Sequence, residues 1–233
     1  MSTTLEPSGL RASVYASLRD ELMNGRVPLG ARLTEPKVSN RFGISRTPAR
    51  EALAQLCADG LLQRAEFGFT PVRPSLPLVR DLYELRITVE LAGIHRAAVN
   101  PGVTHDRRLL EQERNRWRAL QSDPPAQEPG FVVEDEQFHV TLLTAAGNAE
   151  LVRTLESVNA RIRPVRMYDF MVNNRIDVTI SEHLAILDTV LADDLDSAHD
   201  LLRNHIGGSL DVVLDRVTRA LVAMSLATEE EHS

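Results

Sequence analysis

The stretch SRTPAREALAQL, residues 45–56, decides the fold of the first part of the chain because it has the pattern of an amphipathic helix start. Ser45 is a good N-cap, and Pro48 falls in the first turn, where its missing amide hydrogen costs nothing. The apolar face consists of Ala49, Ala52, Leu53 and Leu56. The opposite face, at the start of the helix, carries Arg46, Thr47 and Arg50. The sequence therefore predicts a helix that presents two arginines to its surroundings.

A second short helix is predicted just upstream, from an N-cap at Thr34 to Phe42, and Gly43 supplies the turn between the two helices. Helix, tight turn, helix, with polar groups at the start of the second helix, is the helix-turn-helix arrangement. Arginine suits that position because its planar fork can bond O6 and N7 of guanine together. The plainer alternative is that these arginines only make a surface helix soluble. Residues 61–72, LLQRAEFGFTPV, predict two strands around a turn at Gly68, the wing of a winged helix.

Charge is divided unevenly along the 233 residues, whose net charge is −7. Residues 8–74 contain ten basic and six acidic side chains, which is net +4 and leaves −11 for the remainder. A basic front part on an acidic remainder is typical of a nucleic-acid module joined to a different domain. The prolines of TPVRPSLP predict an extended linker at residues 73–77.

The stretch GISRTPAREALAQLCADGLL resembles the DNA-binding signature of the GntR family of bacterial transcription regulators. The resemblance implies a winged helix-turn-helix domain at residues 8–72 that binds double-stranded operator DNA. The residues it places at the DNA are Ser45, Arg46, Thr47 and Arg50, with Gly68 at the wing tip. There are two departures from the family pattern. Pro36 stands where many members have an arginine, and Glu66 places an acid in the wing.

Four polar residues stand on apolar helical faces after the linker: Asp135, His139, His183 and His205. Asp135 and His139 are four residues apart, so both side chains lie on one face of a helix. Buried imidazoles and carboxylates are costly unless they are paired or hold a metal. One aspartate with three histidines suits Zn²⁺, Ni²⁺, Co²⁺, Fe²⁺ or Mn²⁺. Hydrogen-bonded core residues without a metal are the alternative.

The segments VRDLYELRITVELAGIHRAA, DEQFH and SEHLAILDTVLADDLDSAHDLLRNHI resemble the all-helical FCD ligand-binding domain of FadR-like GntR regulators. The resemblance implies an effector and metal-binding domain at residues 78–226. Six helices are predicted there, which is similar to the shorter, VanR-type arrangement. It also implies that the four residues hold a divalent metal, which binds the carboxylate of a small organic acid. Arg86 and Arg161 are the predicted clamps for a second acid group, although Arg86 could simply pair with Glu90.

These features predict a mostly α-helical, homodimeric, metabolite-responsive transcription regulator, with repression as the expected mode. A metal-dependent enzyme with an accessory DNA-binding domain is the alternative, and a purely structural metal is a third hypothesis. The enzyme is disfavoured because no nucleophile motif or glycine-rich phosphate loop is present. The single cysteine, Cys57, excludes an internal disulfide. Since no signal-peptide or membrane-spanning pattern is found, a cytoplasmic protein is expected.

Overall fold

The computed structural model describes residues 7–24, 26–28, 30–100, 102–171 and 173–230. The chain divides into two compact units. The first comprises the described residues up to Pro74 together with those from Arg216 onward, and the second runs from Ser75 to Asp215. No helix in the described part of the chain is long and apolar enough to cross a membrane.

The first unit has three helices followed by a β-hairpin. The helices are α1 (Pro7–Met23), α2 (Glu35–Phe42) and α3 (Arg46–Ala58), and the antiparallel strands are β1 (Leu62–Ala65) and β2 (Gly68–Pro71). Helix α3 packs against both α1 and α2. The core is aliphatic because the apolar face predicted for α3 is buried together with apolar side chains of α1 and α2. Its helical members include Val14, Leu18, Leu22, Val38, Ala49, Leu53 and Leu56.

The predicted helix boundaries in this unit are confirmed by the backbone. Thr34 caps α2 by accepting a hydrogen bond from the Lys37 amide at 3.3 Å, and Gly43 ends α2 with a φ of 64°. Ser45 has the extended backbone of an N-cap, but its side chain makes no capping hydrogen bond. The hydroxyl of Ser45 therefore stays available to an external partner.

The wing turn differs from the prediction, which placed it at Gly68. The strands are joined by Glu66 and Phe67, and Gly68 is the first residue of β2, paired with Ala65. Gly68 has a φ of 104°, and a Cβ built on it would lie 2.5 Å from the carbonyl oxygen of Leu33. Leu33 bridges to the hairpin through two 2.9 Å backbone hydrogen bonds with Phe69. The glycine is therefore required for the close approach of this third extended segment.

The second unit contains the six predicted helices among its described residues. They are α4 (Leu76–Val99), α5 (Arg107–Ser122), α6 (Val132–Ala145), α7 (Ala149–Arg166), α8 (Arg175–Leu191) and α9 (Leu195–Glu230). Short 3₁₀ turns at Pro129–Phe131 and Asp169–Met171 precede α6 and α8. Helix α5 packs against α8 and α6, while α7 packs against α4 and α6. Helix α9 begins in this unit and continues into the first.

The predicted linker, residues 73–77, is too long at its C-terminal end. Helix α4 begins at Leu76, and Ser75 caps it by accepting a hydrogen bond from the Leu78 amide at 3.4 Å. Pro77 is compatible with the first turn because its missing amide hydrogen would have no helical partner there. Likewise, the predicted second domain at residues 78–226 extends past Asp215, where the second compact unit ends.

Replacing Gly68 by alanine should destabilise the wing by about 1–3 kcal/mol, because the new Cβ meets Leu33 and the backbone is left-handed. Amide hydrogen exchange in Leu62–Pro71 should become faster. Gly43→Ala is the matched control, since Gly43 also has positive φ, but its built Cβ meets no described residue other than its neighbours in the chain within 4 Å. Equal effects of the two substitutions on hairpin exchange would contradict the close-approach argument.

Candidate metal centre and nucleic-acid interface

The four predicted metal ligands come together in the interior of the second unit. Asp135 and His139 lie on α6, His183 on α8 and His205 on α9, and all four are buried. One potential ligand atom from each residue lies within 4.8 Å of all the others. Four residues spread over 71 positions of sequence therefore form one cluster.

The imidazoles approach each other through the same ring nitrogen. The Nε2 atom of His205 lies 3.2 Å from Nε2 of His139 and 3.1 Å from Nε2 of His183. Asp135 completes the cluster, with Oδ1 at 3.5 Å from the His183 Nε2 and Oδ2 at 3.6 Å from the His139 Nε2. Three ring nitrogens and a carboxylate thus face a common centre.

Two of the histidines are oriented by carboxylates behind them. His139 donates its Nδ1 hydrogen to Glu90 at 2.5 Å, and Glu90 also accepts from Nε of Arg86 at 2.6 Å. His205 donates its Nδ1 hydrogen to Glu182 at 2.7 Å. Because a neutral imidazole has one N–H, donation at Nδ1 leaves the Nε2 lone pair directed at the centre. Such carboxylate–histidine pairs commonly orient metal ligands.

His183 is held by packing instead. Its ring stacks on Phe138 with centroids 3.5 Å apart and planes 7° from parallel. The Trp117 ring meets it edge-on at 4.3 Å. The Nδ1 atom of His183 is buried and has no hydrogen-bond partner among the described residues. Two aromatic walls therefore fix the direction of its Nε2 atom.

The electrostatics of the cluster favour the protonation state that binds metals. Burial opposes ionisation of Asp135, but the adjacent Arg166 guanidinium, to which it is ion-paired, and other nearby charges hold its pKa well below the usual value. Burial lowers the pKa of His139 to about 4 and that of His183 well below 6.5. An ionised carboxylate and neutral imidazoles are the forms that coordinate a metal.

The observed spacing also fits a divalent cation. Two nitrogens bound to one metal at about 2.0–2.1 Å lie about 2.9–3.4 Å apart for bond angles between octahedral and tetrahedral values. The measured Nε2–Nε2 distances of 3.1 and 3.2 Å fall in that range. A plain hydrogen-bonded core explains the site less well, because His139 and His205 turn lone pairs toward each other.

The predicted effector arginines differ in their positions. Arg86 is fully buried beside the cluster, and it pairs with Glu90 as the alternative interpretation proposed. Its NH1 and NH2 atoms nevertheless have no hydrogen-bond partner in the described part of the chain. Arg161 is exposed on α7, in contrast to the four buried cluster residues, so its position does not support the predicted role as a clamp. Arg166, five residues later on α7, is buried. Five residues turn a helix by about 500°, or one full turn plus about 140°, so Arg161 and Arg166 lie on different faces.

Several residues that organise the site were missed by the sequence analysis, namely Arg166, Arg175 and Glu182. Arg166 could have been found because it lies four residues after buried Ile162, on the apolar face of α7. Arg175 and Glu182 gave no such signal. Both residues are partly exposed on α8, and charged residues are common at such positions.

In the first unit, Ser45, Arg46, Thr47 and Arg50 are all exposed at the beginning of α3. Arg46 and Arg50 line a groove whose other walls come from the start of α2 and from the wing. The wing contributes Arg64, a cation that the sequence analysis did not select, and Phe67, which is 65% exposed in the turn. Gly68 lines the groove as the first residue of β2 and does not form the tip of the wing. The groove therefore presents three arginines on one side of the unit.

Comparison with known families decides the identity of both units. Residues 10–68 match the family described as bacterial regulatory proteins, gntR family, and residues 81–208 match the FCD domain. The chain belongs to the GntR family of FCD-containing bacterial regulators. It is therefore a transcription regulator and not an enzyme.

Relatives of known name agree with this assignment. The HTH-type transcriptional regulator BphR of Paraburkholderia xenovorans is 28% identical over 86% of this chain and 84% of its own. The transcriptional repressor RspR of Escherichia coli is 27% identical over 88% of this chain and 90% of its own. A repressor assigned to the D-xylose utilization operon of Paenarthrobacter nicotinovorans is 30% identical, covering 86% and 88%.

Solved structures show the same fold. Lar, which controls expression of the Listeria monocytogenes agr system, superimposes with a TM-score of 0.60 at 18% identity, covering 92% of this chain and 98% of its own. A GntR regulator from Rhodococcus sp. RHA1 has a TM-score of 0.52 at 22% identity, covering 88% and 97%. At these identities the likeness concerns the fold alone.

The metal-free chain should lose stability as the pH falls from about 6.5 toward 4. His139 stays neutral in the folded state down to about pH 4, whereas in the unfolded chain it takes up a proton near pH 6.5. The unfolded state therefore binds more protons in this window, at a cost of up to about 1.4 kcal/mol per pH unit for one such group. Urea unfolding at pH 7, 6, 5 and 4 measures the slope.

His139→Gln should flatten that slope because it removes the titrating ring, while His95→Gln, at an exposed position, should leave it unchanged. A wild-type slope that survives in His139→Gln would show that other groups cause the loss of stability.

Proposed function

We propose that the chain is a homodimeric, metabolite-responsive repressor that binds operator DNA through α3 and a small carboxylic acid through a divalent metal. The observation that carries this proposal is the convergence of Asp135 and three histidine Nε2 atoms in the buried interior of the FCD domain. Membership of the GntR family supports the DNA-binding part.

The residues that would hold the metal are Asp135, His139, His183 and His205. A divalent ion of the Zn²⁺, Ni²⁺, Co²⁺, Fe²⁺ or Mn²⁺ type held by these residues would supply a Lewis acid for a carboxylate oxygen. Glu90 and Glu182 keep the Nδ1 hydrogens of His139 and His205 away from the centre. Arg166 holds one oxygen of Asp135, so its other oxygen stays directed at His183.

The position of Arg86 supports the proposal that the effector is an anion. Its Nε is committed to Glu90, but both terminal nitrogens are buried and have no hydrogen-bond partner among the residues that the structure describes. A guanidinium with two free corners can form charge-assisted hydrogen bonds to an acid group. The same side chain can therefore orient His139 through Glu90 and bind effector with its far end.

The DNA-binding part of the proposal assigns base contacts to Arg46 and Arg50 and phosphate contacts to Ser45 and Thr47. All four are exposed at the start of α3, and the groove beside them adds the charge of Arg64. Helix-turn-helix proteins read bases with the first residues of this helix. A homodimer would place two such helices on the two half-sites of an operator.

Arg46→Ala and Arg50→Ala should each weaken operator binding by about 1–3 kcal/mol if the side chains read guanines. Folding should be unaffected because both side chains are exposed. Operator affinity measured by fluorescence anisotropy at several salt concentrations tests this. Arg11→Ala removes an equal charge at an exposed position of α1 and should have a small effect. Wild-type affinity in the double variant would rule out α3 as the recognition helix.

A small carboxylic acid that binds the metal-loaded protein should change operator affinity by about 5- to 150-fold, most simply by weakening it. Chelation of the metal and His205→Ala should each abolish this response. His199→Ala is the matched control because it removes a partly exposed histidine from the same helix. DNA titrations with and without acid provide the measurement. A metal-loaded protein that binds DNA but no acid would indicate a purely structural ion.

A further inference from the structure

A hydrogen-bond relay of Glu182, Arg175, Asp169 and Ser209 leads away from the proposed metal ligand His205. The His205 ring donates its Nδ1 hydrogen to Glu182 at 2.7 Å. Arg175 donates to the same Glu182 oxygen through NH1 at 3.3 Å and to Asp169 through Nε at 2.9 Å. Arg175 therefore links the carboxylate behind His205 to a second carboxylate, that of Asp169.

The relay continues from Asp169 to helix α4. Ser209, on α9, donates to the second oxygen of Asp169 at 2.6 Å. The Tyr83 hydroxyl, on α4, lies 3.2 Å from the Ser209 oxygen and is the donor there, because the Ser209 hydrogen is already used. Tyr83, Asp169 and Ser209 are 0%, 1% and 2% exposed, respectively. The Tyr83–Ser209 hydrogen bond therefore connects α4 to α9 in the interior of the second unit.

Both helices that this bond connects lead into the DNA-binding unit. Helix α4 begins at Leu76, directly after the boundary at Ser75, and Tyr83 lies about two turns from its start. Helix α9 passes the other boundary at Asp215, less than about two turns after Ser209. The bond therefore joins the two helices close to the points where they leave the second unit.

Two glycines, Gly207 and Gly208, stand in α9 between His205 and Ser209. The helix continues through them, although glycine is the poorest helix former after proline. A Cβ built on either one meets nothing within 4 Å among the described residues beyond the adjoining turns of α9, so packing within the chain does not require them. Helices bend readily at such positions. Helix α9 is therefore most easily deformed between the residue that faces the centre and the residue that contacts Tyr83.

We infer that the Tyr83–Ser209 hydrogen bond is a latch that fixes α9 to α4 beyond the glycine pair, and that metal occupancy of the centre favours the closed latch. The inference rests on the proposed function, in which His205 is a metal ligand. Tyr83 and Ser209 are positioning residues in this assignment, because they act on the centre through the relay.

Order at His205 reaches the latch through the two carboxylates of the relay. When Nε2 of His205 is committed to a metal, its Nδ1 hydrogen stays directed at Glu182, which fixes the ring and the carboxylate together. Arg175 and Asp169 connect that carboxylate to Ser209. An ordered relay therefore holds the Ser209 oxygen where it accepts from α4, and a disordered one lets α9 bend at its glycines.

Thermodynamic linkage makes the latch measurable. If Zn²⁺ binding favours the closed latch, the closed latch must favour Zn²⁺ binding by the same factor. Removal of either hydroxyl group should therefore weaken Zn²⁺ binding, although neither Tyr83 nor Ser209 is a proposed metal ligand. A hydrogen bond with a structural role alone would stabilise the folded chain and leave the Zn²⁺ affinity unchanged.

The test uses the full-length chain, Zn²⁺ alone as the probe, and the variants Tyr83→Phe and Ser209→Ala. Competition with a chromophoric chelator should show a Zn²⁺ affinity about fivefold or more lower in each variant. The double variant should bind Zn²⁺ no more weakly than Ser209→Ala, which already removes the latch. Tyr168→Phe is the matched control, since it removes the hydroxyl of another buried tyrosine of the second unit, outside the relay. Its Zn²⁺ affinity should equal that of the wild type.

Amide hydrogen exchange locates the effect along α9. In the wild type, Zn²⁺ should slow exchange both next to His205 and in the segment from Ser209 to Asp215. In Ser209→Ala the first effect should remain and the second should largely disappear. Gly208→Ala, at an exposed position, should slow exchange in that segment before Zn²⁺ is added, because alanine stiffens the helix. An unchanged Zn²⁺ effect on this segment in Ser209→Ala would overturn the latch.

The affinities separate the latch from the proposed function. If Zn²⁺ binds the wild type and both single variants equally, the centre holds metal without the latch, so the inference is wrong and the proposed function stands. An equal loss of affinity in Tyr168→Phe would trace the effect to general loosening of the unit and would also reject the latch. If the wild type binds no Zn²⁺, the metal-dependent part of the proposed function fails and the latch fails with it.

Discussion

The buried carboxylate of Asp135 sets the main constraint on the second unit. An ionised group removed from water is strongly destabilising unless it is paired and hydrogen-bonded. Arg166 supplies the opposite charge from α7, and the Nε2 atoms of His183 and His205 lie 3.5 and 3.9 Å from the remaining oxygen. Helices α6, α7 and α8 must therefore pack in one register, since displacing any of them would leave a charge without its partner.

Buried or half-buried carboxylates paired with opposite charges also occur at the Nδ1 atoms of His139 and His205. Glu90 is ionised, with a pKa lowered to about 2 against the effect of burial, because His139 and Arg86 both act on it. Glu182, on the opposite side, stands between His205 and Arg175. Each carboxylate fixes a ring, and each arginine balances a carboxylate. Removing one member would leave its partner uncompensated, so the site depends on the whole network rather than on its four innermost residues.

Helical periodicity was enough to predict the innermost residues. Asp135 and His139 share a face by their spacing, and the apolar neighbours of His183 and His205 place both rings in the interior. The wing and α3 were predictable for a similar reason, because capping and turn residues act locally. The position of the wing turn was not, since Gly68 is required by the approach of Leu33, which is distant in sequence.

The arginines show the limit of this reasoning most clearly. Arg161 and Arg166 are both near the end of α7, but only the second is on the buried face. A charged residue is expected outside, so the apolar pattern that identifies a core histidine argues against a core arginine. The apolar face of α7 indicates that position 166 is buried, and the charge of Asp135 opposite explains why an arginine can be buried there. Such pairs are a property of packed helices and not of either segment.

The connections between the units suggest how occupancy of the site can matter for DNA. Helix α4, which carries Arg86 and Glu90, follows the winged-helix unit directly at Ser75. Helix α9 carries His205 and continues into the other unit beyond Asp215. Two of the helices that build the centre are thus covalently continuous with the DNA-binding unit. An effector alters DNA binding only if its affinity differs between two arrangements of the protein. Because the proposed metal ligands lie on α6, α8 and α9, an acid bound at the metal would favour one mutual spacing of these helices, and this would provide such a difference.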